Sequence, residues 1–201
     1  MMNKKLVLMT VLFFGLGIVI TSHCVGMSDR PSAANFKDPG VTLDSVQVEY
    51  FEGFWTYGKE TEVAKGKAPK GGGSSPVTLS FVFEITNPNS YPVQLDSSKF
   101  SLFFEDYELR IVNDNNPMWI PAEKTNTKAL TVTLTPGSTF GKFILAHAIK
   151  AKERGDKPWE LIEKWWTGLE DMSFPINVKE GAFVFMADGV VKVVGVEATY
   201  P

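Results

Sequence analysis

The chain is 201 residues long, with 20 basic and 23 acidic side chains, a formal charge of −3, one Cys and two His. One Cys closes no internal disulfide, and one Cys with two His falls short of the four protein ligands of a Cys/His zinc site. A net acidic chain is poorly suited to gripping nucleic acid by charge, while 44% apolar and 12% aromatic residues suit one packed domain rather than a disordered acidic chain.

Residues 1–5 carry Lys4 and Lys5, residues 6–20 (LVLMTVLFFGLGIVI) hold no charge, and Thr21, Ser22, His23 and Cys24 follow. A basic tip, an apolar run and a small polar exit describe an export signal over residues 1–23. The run is shorter than the ~20 residues of a membrane span, so cleavage is expected and a retained anchor is the alternative. The placement of Cys24 directly after this segment resembles the lipobox of bacterial lipoproteins, although His23 and Thr21 stand where that pattern has a small and an aliphatic residue. The resemblance implies acylation of Cys24 and attachment to a membrane through the lipid. In a diderm cell, Val25 after the Cys implies sorting to the outer membrane, facing the periplasm. Loss of Lys4 and Lys5 with the signal takes the charge from −3 to −5, and loss of His23 leaves His147 alone. Any Ser–His–acid triad would have to use His147, and a zinc hydrolase site built on two or three His is excluded.

Residues 24–40 are polar with Pro and Gly and read as a tether. The domain is expected over residues 41–201. Val41, Leu43, Val46, Val48 and Tyr50 mark a first strand whose phase slips near Asp44 and Ser45, as a bulge would allow. The aromatic stretch 51–57 continues or turns it. Residues 59–76 (KETEVAKGKAPKGGGSSP) read as a hairpin loop. Gly66 and Gly71 have phosphate-loop spacing, but Gly72 and Gly73 occupy the Lys and Ser/Thr positions. Val77, Leu79, Phe81, Phe83 and Ile85 then alternate with Thr78, Ser80, Glu84 and Thr86, which predicts an antiparallel strand with one buried face. Asn87, Pro88 and Asn89 end it in a turn.

A short strand is expected at 92–95, and a hairpin from 99–104 and 107–112 around Glu105 and Asp106. The loop 113–117 (NDNNP) offers Asp114 and Asn side chains to a cation but lacks the calcium-loop order. Residues 118–121 pack back on the domain. A strand at 128–135 points Leu130, Val132 and Leu134 inward, and Pro136 with Gly137 stops it. Phe140, Phe143, Ile144, His147 or Ala148, and Ala151 then repeat at helical spacing, with Ser138 or Thr139 as cap and Gly155 as stop. A second helix is expected with Asp156 as cap and a stripe of Trp159, Ile162, Trp165, Trp166 and Leu169. Two readings of Trp159, Trp165 and Trp166 stand side by side: packing onto the sandwich, or a surface for a partner. Strands at 182–187 and 190–198 flank Asp188 and Gly189, a two-residue hairpin signal. Together these elements predict an all-β chain, an immunoglobulin or fibronectin-III-like antiparallel sandwich with a helical insertion at about 138–172.

The strand at 77–86 running into Asn87, Pro88 and Asn89, with Tyr91, Pro92 and Val93 after it and the closing VVKVVGVEAT, resembles the WHy (water stress and hypersensitive response) domain of late embryogenesis abundant group 2 proteins. The resemblance covers about residues 41–200. It implies a fibronectin-like sandwich linked to tolerance of desiccation and cold, with Asn87, Pro88 and Asn89 as signature residues. Their chemistry suits a turn in which Asn side chains satisfy backbone groups. The expected function is therefore a non-enzymatic envelope lipoprotein with a protective or binding role under stress. It is expected to need no cofactor and no metal. The alternative is an adaptor that binds a protein partner through a sandwich edge or the Trp-rich helix.

Overall fold

The computed structural model describes residues 30–54 and 75–201. The export signal, Cys24 and nearly all of the 59–76 loop lie outside the described residues. Among the described residues, eight strands form two antiparallel sheets. The small sheet has the order β1 (Gly40–Phe51), β2 (Val77–Thr86), β6 (Thr125–Leu134). The large sheet has the order β4 (Tyr107–Asp114), β3 (Val93–Phe104), β7 (Ile176–Ala187), β8 (Val190–Tyr200), and β5 (Met118–Ile120) pairs with the start of β3. The two sheets form the expected sandwich, with the helical insertion where the change of period placed it.

The core lies between the sheets. Val77, Leu79, Phe81, Phe83 and Ile85 of β2 are all fully buried, as their alternation requires. Phe100 of β3 meets Phe81 and Phe83 with ring centroids 5.1 and 5.7 Å apart, and Phe183 of β7 meets Phe83 at 5.0 Å. These tilted and edge-on geometries add specificity to the burial of large apolar area.

Bulges decide how the other strands look. In β1 the register jumps between Leu43 and Ser45, where the phase slip in the sequence lies, and again between Val48 and Tyr50. The strands expected separately at 92–95 and 99–104 are one strand, β3. Its register against β7 shifts at Leu95/Ser97 and Lys99/Ser101, so the period breaks while the backbone continues. Strand β7 begins at Ile176 rather than at 182. Glu180 sits at φ 53° and the pairing with β8 skips from Val178 to Gly181. A Cβ on Gly181 would stand 2.5 Å from the Val196 carbonyl oxygen, so only Gly lets the two strands close there. Asp188 and Gly189 both take positive φ, 47° and 81°, as a tight primed hairpin turn demands.

The helices differ from expectation at their starts. Helix α1 runs Pro136–Arg154, so Pro136 and Gly137 open the helix instead of merely ending the strand. Thr135, not Ser138 or Thr139, is the cap; Thr135 and Ser138 exchange side-chain and backbone bonds in a capping box, with Pro in the first turn. Gly155 closes α1 at φ 73°, and the Asp156 amide donates to the Ala151 carbonyl. Helix α2 runs Pro158–Gly168 with Lys157 at its cap position and no side-chain cap bond. Asp156, expected there, is engaged elsewhere.

The two helices close the end of the sandwich next to the β3–β4 turn. Trp165 packs on Phe104 and Tyr107 at 5.8 and 5.9 Å, and Phe140 of α1 stacks on Trp159 at 4.5 Å. The Trp165 indole nitrogen donates to Glu105 Oε2 and that of Trp166 to the Ser75 carbonyl, at 3.2 and 3.0 Å. Trp159, Trp165 and Trp166 are all buried. Their burial, with the indole N–H groups of Trp165 and Trp166 bonded inside the fold, matches the packing reading of these residues.

Candidate functional site

The Asn87, Pro88 and Asn89 turn sits at the other end of the sandwich, where β2 leaves for β3. Asn87 and Asn89 are buried, and Pro88 between them is exposed. Asn87 Nδ2 donates to the carbonyls of Tyr91, Ile120 and Pro121 at 2.8, 3.2 and 3.1 Å. Its Oδ1 accepts from both the backbone and side-chain nitrogens of Asn89 at 3.0 Å. Asn89 in turn clasps the N-terminal segment. Its Oδ1 accepts from the Lys37 amide at 2.8 Å and its Nδ2 donates to the Lys37 carbonyl at 2.9 Å. Within the stretch read as tether, Phe36 is buried against Tyr91, so the folded part starts before Val41. The site is a hydrogen-bond knot among four chain segments.

A second cluster lies at the helical end, in an open cleft of about 500 Å³ between the β3–β4 turn, the C-terminus of α1, α2 and the start of β7. Most of its charges are paired with one another, while Lys179 lies over the Phe103 ring at 5.0 Å. Arg154 bonds Asp106 at 3.0 Å and reaches Asp156 at 3.3 Å, while Lys164 holds Glu105. The Arg154 guanidinium hydrogen-bonded to Asp106 holds that carboxyl below its ordinary range. Tyr107 is buried under the cleft and donates its phenol proton to Asp156 at 2.5 Å, with Lys150 and Arg154 over its ring. Burial first, then the hydrogen bond to Asp156, push the phenol up to about 12. A phenol held neutral in this way is a fixed donor, not a base.

His147 sits half-buried on α1, its Nε2 bonded to the Glu108 carbonyl at 2.8 Å and its ring against Tyr107 and Phe143. In the 113–117 loop, Lys128 places its ammonium on Asp114 at 2.5 Å and on the Asn116 carbonyl at 2.9 Å. Burial pushes the Asp114 carboxyl up, but the bonds from Lys128 and Asn116 outweigh it and hold it below its usual range. The cation of this loop is thus a side chain of β6. Among the described residues no group of three or more His, Cys, Asp or Glu has metal-holding geometry.

No known family matches the chain, and no curated protein does. Similar solved structures include a protein from Archaeoglobus fulgidus, 12% identical over 79% of this chain and 96% of that one, with a TM-score of 0.39. A candidate ApaA protein from Bordetella pertussis is 11% identical over 81% and 91% of the two chains, with a TM-score of 0.40. A solution structure of a candidate late embryogenesis abundant protein is 13% identical over 84% and 74%, with a TM-score of 0.29.

A surface that sequence reasoning missed is the outward face of α1. Phe143 and Ala151 point into the fold, yet Ile144, Leu145 and Ile149 stand in solvent, Leu145 at 89% and Ile149 at 77% exposure. The apolar residues on both sides of this helix blur its period, so the sequence assigned Ile144 to the buried stripe.

Two measurements test the site. Asn87→Ala leaves backbone carbonyls and the Asn89 backbone amide without their partner in a dry position, at about 1–3 kcal/mol for each group. Urea unfolding should show a loss of about 3 kcal/mol, and Asn87→Asp, which cannot donate, should lose a comparable amount; a neutral Asn87→Asp would exclude the knot. Tyr107 is held protonated by the fold. Its stabilisation is therefore complete below the ordinary tyrosine value of about 10 and is lost as pH rises through about 12. Denaturant unfolding at stepped pH should show the gap between wild type and Tyr107→Phe closing across that window.

Proposed function

We propose that the protein is a non-enzymatic, lipid-anchored module of the cell envelope, of WHy or late embryogenesis abundant group 2 type, that shields other proteins during water loss. Its support is physical and local. The segment at 1–23 and Cys24 have the pattern of an exported, acylated chain. At the helical cleft, Asp106 and Asp156 are paired with Arg154, and Glu105 with Lys164.

The observation that carries the binding role is the solvent-facing apolar stripe of α1, with Leu145 and Ile149 nearly fully exposed. Such a stripe lowers its free energy by covering apolar area on another molecule. It is also presented at the end opposite the N-terminal junction. Helix α1 follows Leu134, which pairs with Val77 at one end of β2, whereas the Asn87 knot follows Thr86 at the other. Ten residues of strand separate the two ends by about 30 Å.

The alternative is an adaptor in an envelope assembly, for which the same stripe would seat one partner. In freeze–thaw protection of a labile enzyme, wild type should preserve activity and the double variant Leu145→Lys, Ile149→Lys should lose most of that effect at unchanged stability. A stoichiometric partner captured from envelope extracts and lost with the same variant, without freeze–thaw protection, would favour the adaptor. The anchoring half of the proposal predicts that the wild-type chain takes up labelled palmitate and that Cys24→Ser does not. An unlabelled wild type would remove the lipoprotein assignment.

A further inference from the structure

The outer faces of the two sheets differ in kind. The small sheet turns Thr78, Thr86, Thr125, Thr127, Thr131 and Thr133 to the outside, with Thr78 bonded to Thr133 and Thr86 to Thr125 through their hydroxyls. That is how a sheet meets water. The large sheet does the opposite at its β7–β8 turn. Trp119, Gln94, Met186 and Val191 stand opposite one another in register across β5, β3, β7 and β8, so they share a face. Val184 and Val193 form the next row of that face. Trp119 is 59% exposed, Val191 54% and Val193 63%. Three strand spacings put Trp119 and Val191 about 14 Å apart, a flat apolar strip across the sheet.

The place where the chain joins the fold identifies what covers this strip. Arg30, the first described residue, pairs with Asp188 in the β7–β8 turn at 3.8 Å, and Asp38 pairs with Lys192 of β8 at 2.6 Å. The N-terminal segment thus reaches the edge strand β8 beside the β7–β8 turn, on the Lys192 face and next to Val191 in the chain. Residues 1–29 precede Arg30 in the sequence and contain the uncharged run 6–20 and Cys24. From Cys24 to Arg30 the chain can span at most about 20 Å.

We propose that the Trp119–Met186–Val191–Val193 strip rests on the lipid surface to which the chain is attached, with the Trp119 indole at headgroup depth. This rests on the anchoring half of the proposed function, because a lipid on Cys24, or a retained apolar run, holds the bilayer within reach of the strip. Indole is the side chain that favours that depth, apolar on its rings and polar at its N–H. The acidic residues beside the turn are matched by Arg30 and Lys192, so the contact is apolar in character and needs no anionic lipid.

The test uses the full-length chain reconstituted into vesicles of phosphatidylethanolamine and phosphatidylglycerol, with and without bromine on the acyl chains. Flotation reads anchoring, and the emission difference between wild type and Trp119→Phe isolates Trp119 from the other four Trp. The expected result is strong quenching of that difference by brominated lipid, retained at high salt and in zwitterionic vesicles. Quenching should be lost in Val191→Asp, Val193→Asp, which still floats. A chain that floats with Trp119 unquenched overturns the inference and leaves anchoring intact. A wild type that does not float removes anchoring and the inference with it. Concentration-dependent cross-linking between copies through this face, with Trp119 shielded from lipid, would assign the strip to a second copy and overturn the lipid contact.

Discussion

The fold hangs on two buried carboxamides. Asn87 and Asn89 sit where the end of β2, the start of β3, the β5–β6 connection and the N-terminal segment converge, and each offers a donor and an acceptor. A buried polar atom without a partner is costly, and here the partners lie on four separate segments. The satisfied arrangement therefore admits one geometry. It fixes where β5 meets β3, and through the Lys124 carbonyl, bonded to the Asn87 amide, where β6 begins beside β2. An Asp at position 87 would lose donors and a Leu would lose both roles, so the residue type follows from the accounting of partners.

The opposite end is closed by different physics. There the β3–β4 turn is covered by aromatic packing, with Tyr107, Phe143 and Trp165 in mutual contact. Directional bonds at one end and ring packing at the other leave the sheet corners to be joined. Lys128 of β6 meets Asp114 of β4 across one of them. Exposed ion pairs contribute little, but this one is largely shielded from solvent and fixes the distance between the sheets. The Arg154, Asp106 and Asp156 group at the cleft is more exposed, and its role is to hold the helices against the turn rather than to stabilise strongly.

How much of this could be read from the chain depends on how cleanly each segment repeats. Strand β2 was legible in full because ten residues alternate with a single exception on the outer face. The β7–β8 turn was legible because Asp and Gly suit positive φ. Strands β3 and β7 were cut short because their bulges shift the period without ending the strand, and Glu180 at positive φ carries no sequence signal. The start of α1 was hidden because Pro breaks a strand and opens a helix by the same property, a fixed φ without an N–H. The structural role of Asn87 and Asn89 was legible from side-chain chemistry, but not their partners at Lys37 and Ile120, which lie 52 and 33 residues from the Asn that bonds them. The tryptophans mark the limit of composition. Three in the α2 stripe drew attention and are buried, while among the described tryptophans Trp119, in a three-residue strand, is the exposed one.

That reversal bears on how the two apolar surfaces work together. Each exposes side chains that a solvated domain gains nothing by exposing, and each lies near a different end of β2. The two surfaces are separated along the strands by about 30 Å of sandwich stiffened by paired strands. Contact of the Trp119 strip with the surface would fix the orientation of the domain as well as its distance. Helix α1 would then sit about one sandwich length along the strands from the strip. Tethering alone would let the stripe of Leu145 and Ile149 sweep in every direction, including back onto its own membrane, where the lipid would cover it. A seated domain instead holds that stripe in one fixed direction, so the surface at one end sets how the surface at the other is presented.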